Sequence, residues 1–261
     1  MKKHLLIFTI MAFLAAASGF GQTAQEYIKM GDEAYDQFND QTALEHYQAA
    51  LKLEANNYEA LWKASRALVD LADLIPEGGK AAKKERMDMY SEAASLANKA
   101  VAANPNDTWG YFSQSAAIGK KVLLQGKKQQ IDASKQVKTI IDKSIELDPN
   151  NDLAWHALGR WHRRLDEIGG AKRLFGSLIY GSIPKGTFEE SAVALEKAVE
   201  LNPDLVVHYL ELGRTYYALK KYDKAAEAFQ KCLDLPKSSS KDDMYKEEAE
   251  AELNQAKKKI K

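Results

Sequence analysis

The sequence predicts an all-α superhelix (solenoid) of about five helix pairs, with long insertions and a C-terminal capping helix. Three observations predict it. Apolar residues recur at helical spacing, small residues recur at fixed places, and turn signals rich in Asn and Pro follow at 55–57, 104–105, 148–150 and 202–203. A solenoid lengthens by repetition, so a 261-residue chain of this kind needs no single large core.

The clearest unit is residues 206–236, where the W-x2-L-G-x2-Y and A-x3-F spacings are followed by a proline. The residues at these positions are Tyr209, Leu212, Gly213, Tyr216, Ala225, Phe229 and Pro236. The spacing is that of the tetratricopeptide (TPR) repeat, a helix–turn–helix of about 34 residues. We expect Gly213 and Ala225 to let the two helices approach closely while Phe229 fills the space between them. Pro236 ends the second helix because its ring cannot continue it.

Weaker copies of the pattern predict units at about 24–57, 58–107, 108–151 and 152–205, ahead of 206–236. A charged segment at about 241–261 predicts the capping helix that such an array requires. The first and second helices of unit four are separated by an insertion that predicts an additional short helix near 171–180. Thr187 and Glu190 predict a capping box at the start of the helix that follows.

The first 21 residues have the pattern of a secretory signal peptide. Two lysines precede an apolar run over 5–17, and small residues lead to a predicted cleavage near Gly21–Gln22. We therefore expect an exported, periplasmic protein, with secretion less favoured, whose repeat domain covers 22–261. An uncleaved N-terminal anchor is the alternative. The apolar run is too short to span a bilayer comfortably.

Composition and motifs argue against most chemistries. The chain has net charge 0 and shows no basic domain that would predict nucleic-acid binding. Its single cysteine, Cys232, excludes an intrachain disulfide and occupies a small-residue position of a helix, which predicts a buried thiol. No nucleotide-binding, hydrolase or metalloprotease motif is present. We predict a non-enzymatic protein with no cofactor and no metal.

The candidate site is the concave surface, which the first helix of each TPR unit lines. The predicted groove residues are Trp62, Arg66, Trp109, Phe112, His156, Arg160, Arg163, Arg164, Arg214 and Tyr217. Arginines bind carboxylates or phosphates bidentately, and aromatic rings supply rigid apolar area. The alternative is structural: the aromatic residues pack between repeats, and the arginines pair with acids of the insertion such as Asp166 and Glu167.

Two stretches resemble one known family. LAWHALGRWHRRL at 153–165 and RLFGSLIYGSIPKGTFEESAVALEKAVELNP at 173–203 are similar to the regulator-of-microtubule-dynamics family, and weaker similarity extends over about 58–236. The chain resembles a signal-peptide-bearing relative of bacterial type. Family members in animals are linked to microtubules, mitochondria and membrane contact sites. The resemblance implies a TPR fold and the binding of a ligand or phospholipid in its groove.

Two functions remain open from the sequence. The first is a scaffold that binds an acidic protein or peptide partner in the groove. The second is a lipid-binding or lipid-transfer module whose groove is roofed by the insertions at 73–90 and 165–186. For either, the sequence predicts that combining Arg160→Glu with Arg214→Glu abolishes binding and leaves the melting temperature nearly unchanged.

Overall fold

The computed structural model describes residues 22–260, and this part of the chain contains twelve helices and no strand. The predicted signal peptide and its cleavage site lie outside the described residues. The helices are α1 (Ala24–Asp36), α2 (Asp40–Leu53), α3 (Tyr58–Leu74), α4 (Lys80–Ala103), α5 (Thr108–Leu123), α6 (Lys127–Leu147), α7 (Asp152–Asp166), α8 (Gly170–Tyr180), α9 (Phe188–Leu201), α10 (Val206–Ala218), α11 (Tyr222–Asp234) and α12 (Asp242–Ile260).

The helices pack as a TPR-like solenoid, which confirms the predicted fold class. Five pairs follow one another, α1/α2, α3/α4, α5/α6, α7/α9 and α10/α11, while α8 is inserted in the fourth pair and α12 caps the fifth. Each first helix also contacts the next first helix, from α1 through α3, α5 and α7 to α10. These five helices therefore line one side of the solenoid, which is its concave surface.

Short polar side chains set where the helices begin. The side-chain oxygens of Asn39, Asn57, Asp107, Asn151 and Thr187 each accept a hydrogen bond from a backbone N–H in the first turn of the following helix. Such caps satisfy one of the free N–H groups at a helix start and stabilise the helix by about 1 kcal/mol each. Three of these caps, Asn57, Asp107 and Asn151, lie at or just after the turn signals at 55–57, 104–105 and 148–150, which thus mark where one unit ends and the next begins.

Glycines in the first helices allow the pairs to pack closely. A Cβ at Gly213 would lie 2.5 Å from the ring of Phe229, and one at Gly159 would lie 2.5 Å from Leu195 Cγ. Phe229 and Leu195 are both fully buried. The prediction for the last unit is confirmed, because Phe229 occupies the space that the missing side chain of Gly213 leaves. Cys232 is buried in the same core, where burial raises the pKa of its thiol to about 12.

The C-terminal end of the chain meets the first two units. The Ser240 hydroxyl donates to the Asp40 carboxylate at the start of α2. The ammonium of Lys241 lies 2.6 Å from Asp70 Oδ1 and 3.2 Å from Asp73 Oδ2, both on α3. The turn before α12 therefore ties the fifth unit to the first unit through Ser240 and to the second through Lys241.

Helix α8 lies where the sequence predicted an additional helix. Its exposed apolar residues are Leu174, Phe175, Leu178 and Ile179. Among the helices over 22–260, none has the length and apolar character needed to cross a membrane.

Candidate functional site

The concave surface has two chemically different parts. Helices α3 and α5 contribute a cluster of aromatic rings with one arginine, which we call the aromatic surface: Trp62, Arg66, Trp109 and Phe112, with Tyr35 of α1 beside them. Helices α7 and α10 contribute a set of arginines around one carboxylate, which we call the arginine cluster: Arg160, Arg163, Arg214 and Glu211. The ten predicted site residues divide between and around these two regions.

In the aromatic surface, neighbouring repeats bring three rings into contact. Trp62 and Trp109 stack with centroids 5.1 Å apart and an interplanar angle of 18°. Phe112 lies edge-on to Trp109, with centroids 6.0 Å apart at 89°. Trp62 is 9% exposed, whereas Trp109 and Phe112 are half-buried. The structural alternative thus holds for Trp62, which packs in the core, while the other two rings keep accessible area.

Arg66 is placed by this stack. It lies one helical turn after Trp62 on α3, and its guanidinium carbon sits 3.9 Å from the Tyr35 ring centroid and 5.1 Å from that of Trp62. Its Nε is buried and has no hydrogen-bond partner among the described residues. Arg66 also forms no ion pair within residues 22–260. Cation–π contacts hold the guanidinium in place without engaging this donor.

The arginine cluster converges on Glu211. This carboxylate is 3% exposed, and its oxygens lie 3.6 Å from Arg160 Nε, 2.5 Å from Arg163 Nη2 and 3.2 Å from Arg214 Nη1. Burial acts to raise its pKa, but the three guanidinium groups outweigh burial and hold the pKa well below the usual value. Glu211 is therefore a charged residue inside the fold, neutralised by side chains that the sequence predicted as ligand contacts.

Two of these arginines have further partners. Arg214 donates from Nε to Glu252 at 2.9 Å and from Nη2 to Glu248 at 2.6 Å, both on α12. Arg163 donates to Glu167. The sequence alternative of pairing within the insertion is thus correct for Glu167. Asp166, the other acid considered, instead accepts the Phe188 backbone N–H at 2.9 Å.

His156 is buried in a polar chain and does not face an open groove. Its Nδ1 lies 3.0 Å from Nδ1 of His208, whose Nε2 lies 2.9 Å from the Asp152 carboxylate. The carboxylate accepts from the His208 Nε2–H, so His208 Nδ1 accepts and His156 Nδ1–H donates. Burial, followed by the neighbouring His208, lowers the pKa of His156 well below its usual value. The hydrogen bonds therefore hold the two rings in one tautomeric arrangement.

Within residues 22–260, the last two predicted residues take part neither in the ring contacts of the aromatic surface nor in the ion pairs of the arginine cluster, although the charges of Arg160, Arg163 and Glu211 act on Arg164. Arg164 is exposed and takes part in no ion pair found within the described part of the chain. Tyr217 is half-buried and packs edge-on to Tyr222, with centroids 5.3 Å apart. Neither residue adds to the aromatic surface or to the arginine cluster.

Sequence reasoning missed the acids and the lysine that fill the middle of the concave side. Asp73 is buried between Lys120, whose ammonium lies 2.5 Å away, and Lys241. The hydroxyl of Tyr35 donates to Asp70 at 2.8 Å. Of these, Lys241 is contributed by a segment far along the chain, and no spacing within one repeat could have indicated it. The carboxylates of Asp70 and Asp73 are thus paired with lysines, so the part of the concave side that lies between the aromatic surface and the arginine cluster carries charges of both signs.

Comparisons with known proteins agree with the fold. The family described as "Regulator of microtubule dynamics protein 1-3" matches residues 27–257. The bovine (Bos taurus) regulator of microtubule dynamics protein 1 is 26% identical over 197 residues, which cover 75% of this chain and 61% of that protein. The Caenorhabditis elegans protein of the same name is 24% identical over 195 residues, covering 75% of this chain and 84% of its own.

Among solved structures, a thermophilic TPR protein from Thermus thermophilus is similar in fold. The TM-score is 0.62 at 16% identity, and the match covers 89% of this chain and 100% of the other. Identity this low supports the architecture alone. Among the relatives by sequence, the matched region spans only about three fifths of the bovine protein's length.

Proposed function

The chain belongs to the regulator-of-microtubule-dynamics family, and we propose that it is a non-enzymatic scaffold whose aromatic surface binds a protein or peptide partner. TPR solenoids present extended concave surfaces of this kind. The observation that carries the proposal is Arg66, whose guanidinium lies over the rings of Tyr35 and Trp62, has no ion pair among residues 22–260 and has a buried Nε without an acceptor there.

The chemistry of the aromatic surface favours a carboxylate next to an apolar side chain. A guanidinium group matches a carboxylate with two parallel hydrogen bonds, and stacking on rings fixes its plane in advance. Trp109 and Phe112 supply the adjoining apolar area with little conformational freedom to lose on binding. We propose a peptide segment with an acidic side chain, or with a free C-terminal carboxylate, as the partner.

The arginine cluster is assigned a structural role in this proposal. Arg160, Arg163 and Arg214 already face Glu211, and an added anion would compete with a buried carboxylate for the same donors. A peptide is therefore expected to occupy the side of the groove formed by α3 and α5. This differs from the sequence prediction, which spread the site evenly along the concave surface.

The test is selection of peptides from a displayed random dodecapeptide library against the full chain, followed by calorimetric titration of the enriched peptides. We expect enrichment of Asp, Glu or a free C-terminus beside apolar residues. Arg66→Leu should then weaken binding about 10- to 100-fold, because a charge-assisted hydrogen bond contributes roughly 1.5–3 kcal/mol. Lys52→Ala, an exposed charge change on α2, is the control and should leave affinity unchanged.

Arg66→Leu also separates function from folding. Arg66 forms no ion pair among residues 22–260, although the charges of Asp70 and Asp32 act on it, so we expect the variant to remain folded, and its circular dichroism melting curve checks this before peptides are titrated. Selected peptides that lack acidic groups, or that bind Arg66→Leu as tightly as the wild type, would contradict the proposal.

The lipid-carrier alternative has less support from the geometry. It requires the insertions to roof the groove with their apolar side chains, yet the apolar residues of α8 face solvent. Native mass spectrometry with organic extraction would decide it, since a co-purifying phospholipid at one per chain is the result that the carrier requires.

We also propose that the protein is exported, on the pattern of its first 21 residues. The basic start, the short apolar run and the small residues near Gly21 support this. The N-terminal sequence of protein recovered from its own cells tests the proposal, with Gln22 as the expected first residue. Recovery of the full-length chain from the cytoplasm would contradict it.

A further inference from the structure

The insertion of the fourth unit holds a helix whose apolar side faces outward. In α8, Leu174, Phe175, Leu178 and Ile179 are 66%, 67%, 78% and 72% exposed. They follow one another at i, i+1, i+4 and i+5, so they form one continuous stripe on the helix. Exposed apolar residues in a contiguous group mark an interaction surface, whereas isolated ones do not.

Contacts on the opposite side hold the helix in this orientation. Arg173 donates to the carbonyl oxygen of Leu165 and, at 3.3 Å, to that of Pro184. A Cβ at Gly176 would lie 2.8 Å from Ile183 Cδ1, so the absent side chain leaves room for the buried Ile183. Positions 173 and 176 lie roughly opposite the apolar stripe, since successive residues turn by about 100°. The fold thus presents the stripe to solvent by tertiary contacts.

The charge around the stripe has one sign. Between positions 168 and 187 the chain contains three basic residues, Lys172, Arg173 and Lys185, and no Asp or Glu. Lys172 and Lys185 are exposed. Most of the acids that flank this segment are engaged within the fold: Asp166 accepts the Phe188 N–H, Glu167 pairs with Arg163, and Glu190 contacts Thr187. Glu189, which is exposed at the start of α9, is the nearest acid on the C-terminal side.

We propose that α8 docks on the surface of an anionic lipid bilayer. Short helices with a Leu- and Phe-rich face and flanking lysines lie in the plane of the membrane interface, with the apolar face at the boundary of headgroups and acyl chains. Lys172 and Lys185 would then meet lipid phosphates. A second copy of this chain is a poorer occupant, because pairing two such helices brings like charges together. This surface is separate from the aromatic surface, so the two proposals succeed or fail independently.

The test measures co-sedimentation of the full chain with vesicles of phosphatidylcholine and phosphatidylglycerol, the anionic lipid making up roughly a third of the total. The variant combines Leu178→Ser with Ile179→Ser, two positions whose exposure makes a folding defect unexpected. We expect the bound fraction to fall roughly tenfold or more, because the variant lacks two apolar side chains whose transfer from water into the membrane interface favours binding. Lys172→Glu should weaken binding to these vesicles, and Val193→Ser, an exposed apolar change on α9, is the matched control.

A second measurement locates the contact directly. An environment-sensitive fluorophore is attached to the new thiol of the Leu178→Cys variant. The single native cysteine, Cys232, is buried and is therefore not expected to react with the label. Blue-shifted emission on anionic vesicles, absent on pure phosphatidylcholine, supports the proposal. Unshifted emission overturns it, as does equal vesicle binding by the wild type and the serine variant. A dimer in sedimentation velocity that the serine variant dissociates would also overturn it, since a second copy would then cover the stripe.

Discussion

Replacing Glu211 by Gln is expected to destabilise the protein by about 3 kcal/mol. The change keeps the shape of the side chain and removes the one negative charge on which three arginines converge. Breaking a buried ion pair by removing one partner costs roughly 3–5 kcal/mol, because the remaining charge stays buried without compensation.

The contacts of each arginine place the cost at the lower end of that range. Arg214 keeps Glu248 and Glu252, and Arg163 keeps Glu167. Arg160 has no other ion pair within residues 22–260, but its side chain is 24% exposed and retains some hydration. The guanidinium of Arg160, which stays partly hydrated, is therefore the group that loses most when the charge of Glu211 is removed. At about 2–4 °C per kcal/mol for a chain of this size, the melting temperature should fall by roughly 6–12 °C.

The assay is urea denaturation followed by far-ultraviolet circular dichroism at neutral pH. Glu248→Gln is the matched control, because it removes a carboxylate from Arg214 at a side chain that is 41% exposed. Exposed pairs contribute about 0–1 kcal/mol, so the control should remain near the wild type. Equal stability of Glu211→Gln and the wild type would refute the assignment of Glu211 as the charge that holds this cluster together.

Two further predictions follow from the same region. Combining Arg160→Glu with Arg214→Glu places two more carboxylates beside Glu211, so the structure predicts a clear loss of melting temperature, in contrast to the sequence expectation of no change; circular dichroism melting decides between them. His156 has a folded-state pKa well below the unfolded value of about 6.5, so its contribution to stability is present above about pH 6.5 and is lost as the pH falls. Below that pH, protonation of His156 in the unfolded chain lowers the free energy of unfolding by up to about 1.4 kcal/mol per pH unit. The His156→Gln variant should lack this decrease in urea titrations at about pH 7, 6 and 5. Parallel pH profiles for His156→Gln and the wild type would contradict the second prediction.

The architecture could be predicted because its causes are local. Gly213 and Phe229 belong to one repeat, and the spacing between them is visible in the sequence as well as in the packing. The cap at Thr187 likewise depends on a residue three positions away. The contact of Lys241 with Asp70 could not be read in this way, because it depends on the curvature summed over several units.

The candidate site could be predicted only in part, for a related reason. Trp62 and Arg66 share a helix face by their spacing, and the stack with Trp109 follows from the repeat. Periodicity indicates which positions face inward but says nothing about what lies opposite. Glu211 and Arg163 are on different helices, and only the packing of α7 against α10 shows that their charges compensate each other.

The most direct test of the central claim is hydrogen–deuterium exchange of the full chain with and without a peptide enriched in the display selection. Binding at the aromatic surface predicts added protection in α3 and α5, over 58–74 and 108–123, and the Arg66→Leu variant should lose that protection at the same peptide concentration. Protection confined to α7 and α10, unaffected by Arg66→Leu, would contradict the account and assign binding to the arginine cluster.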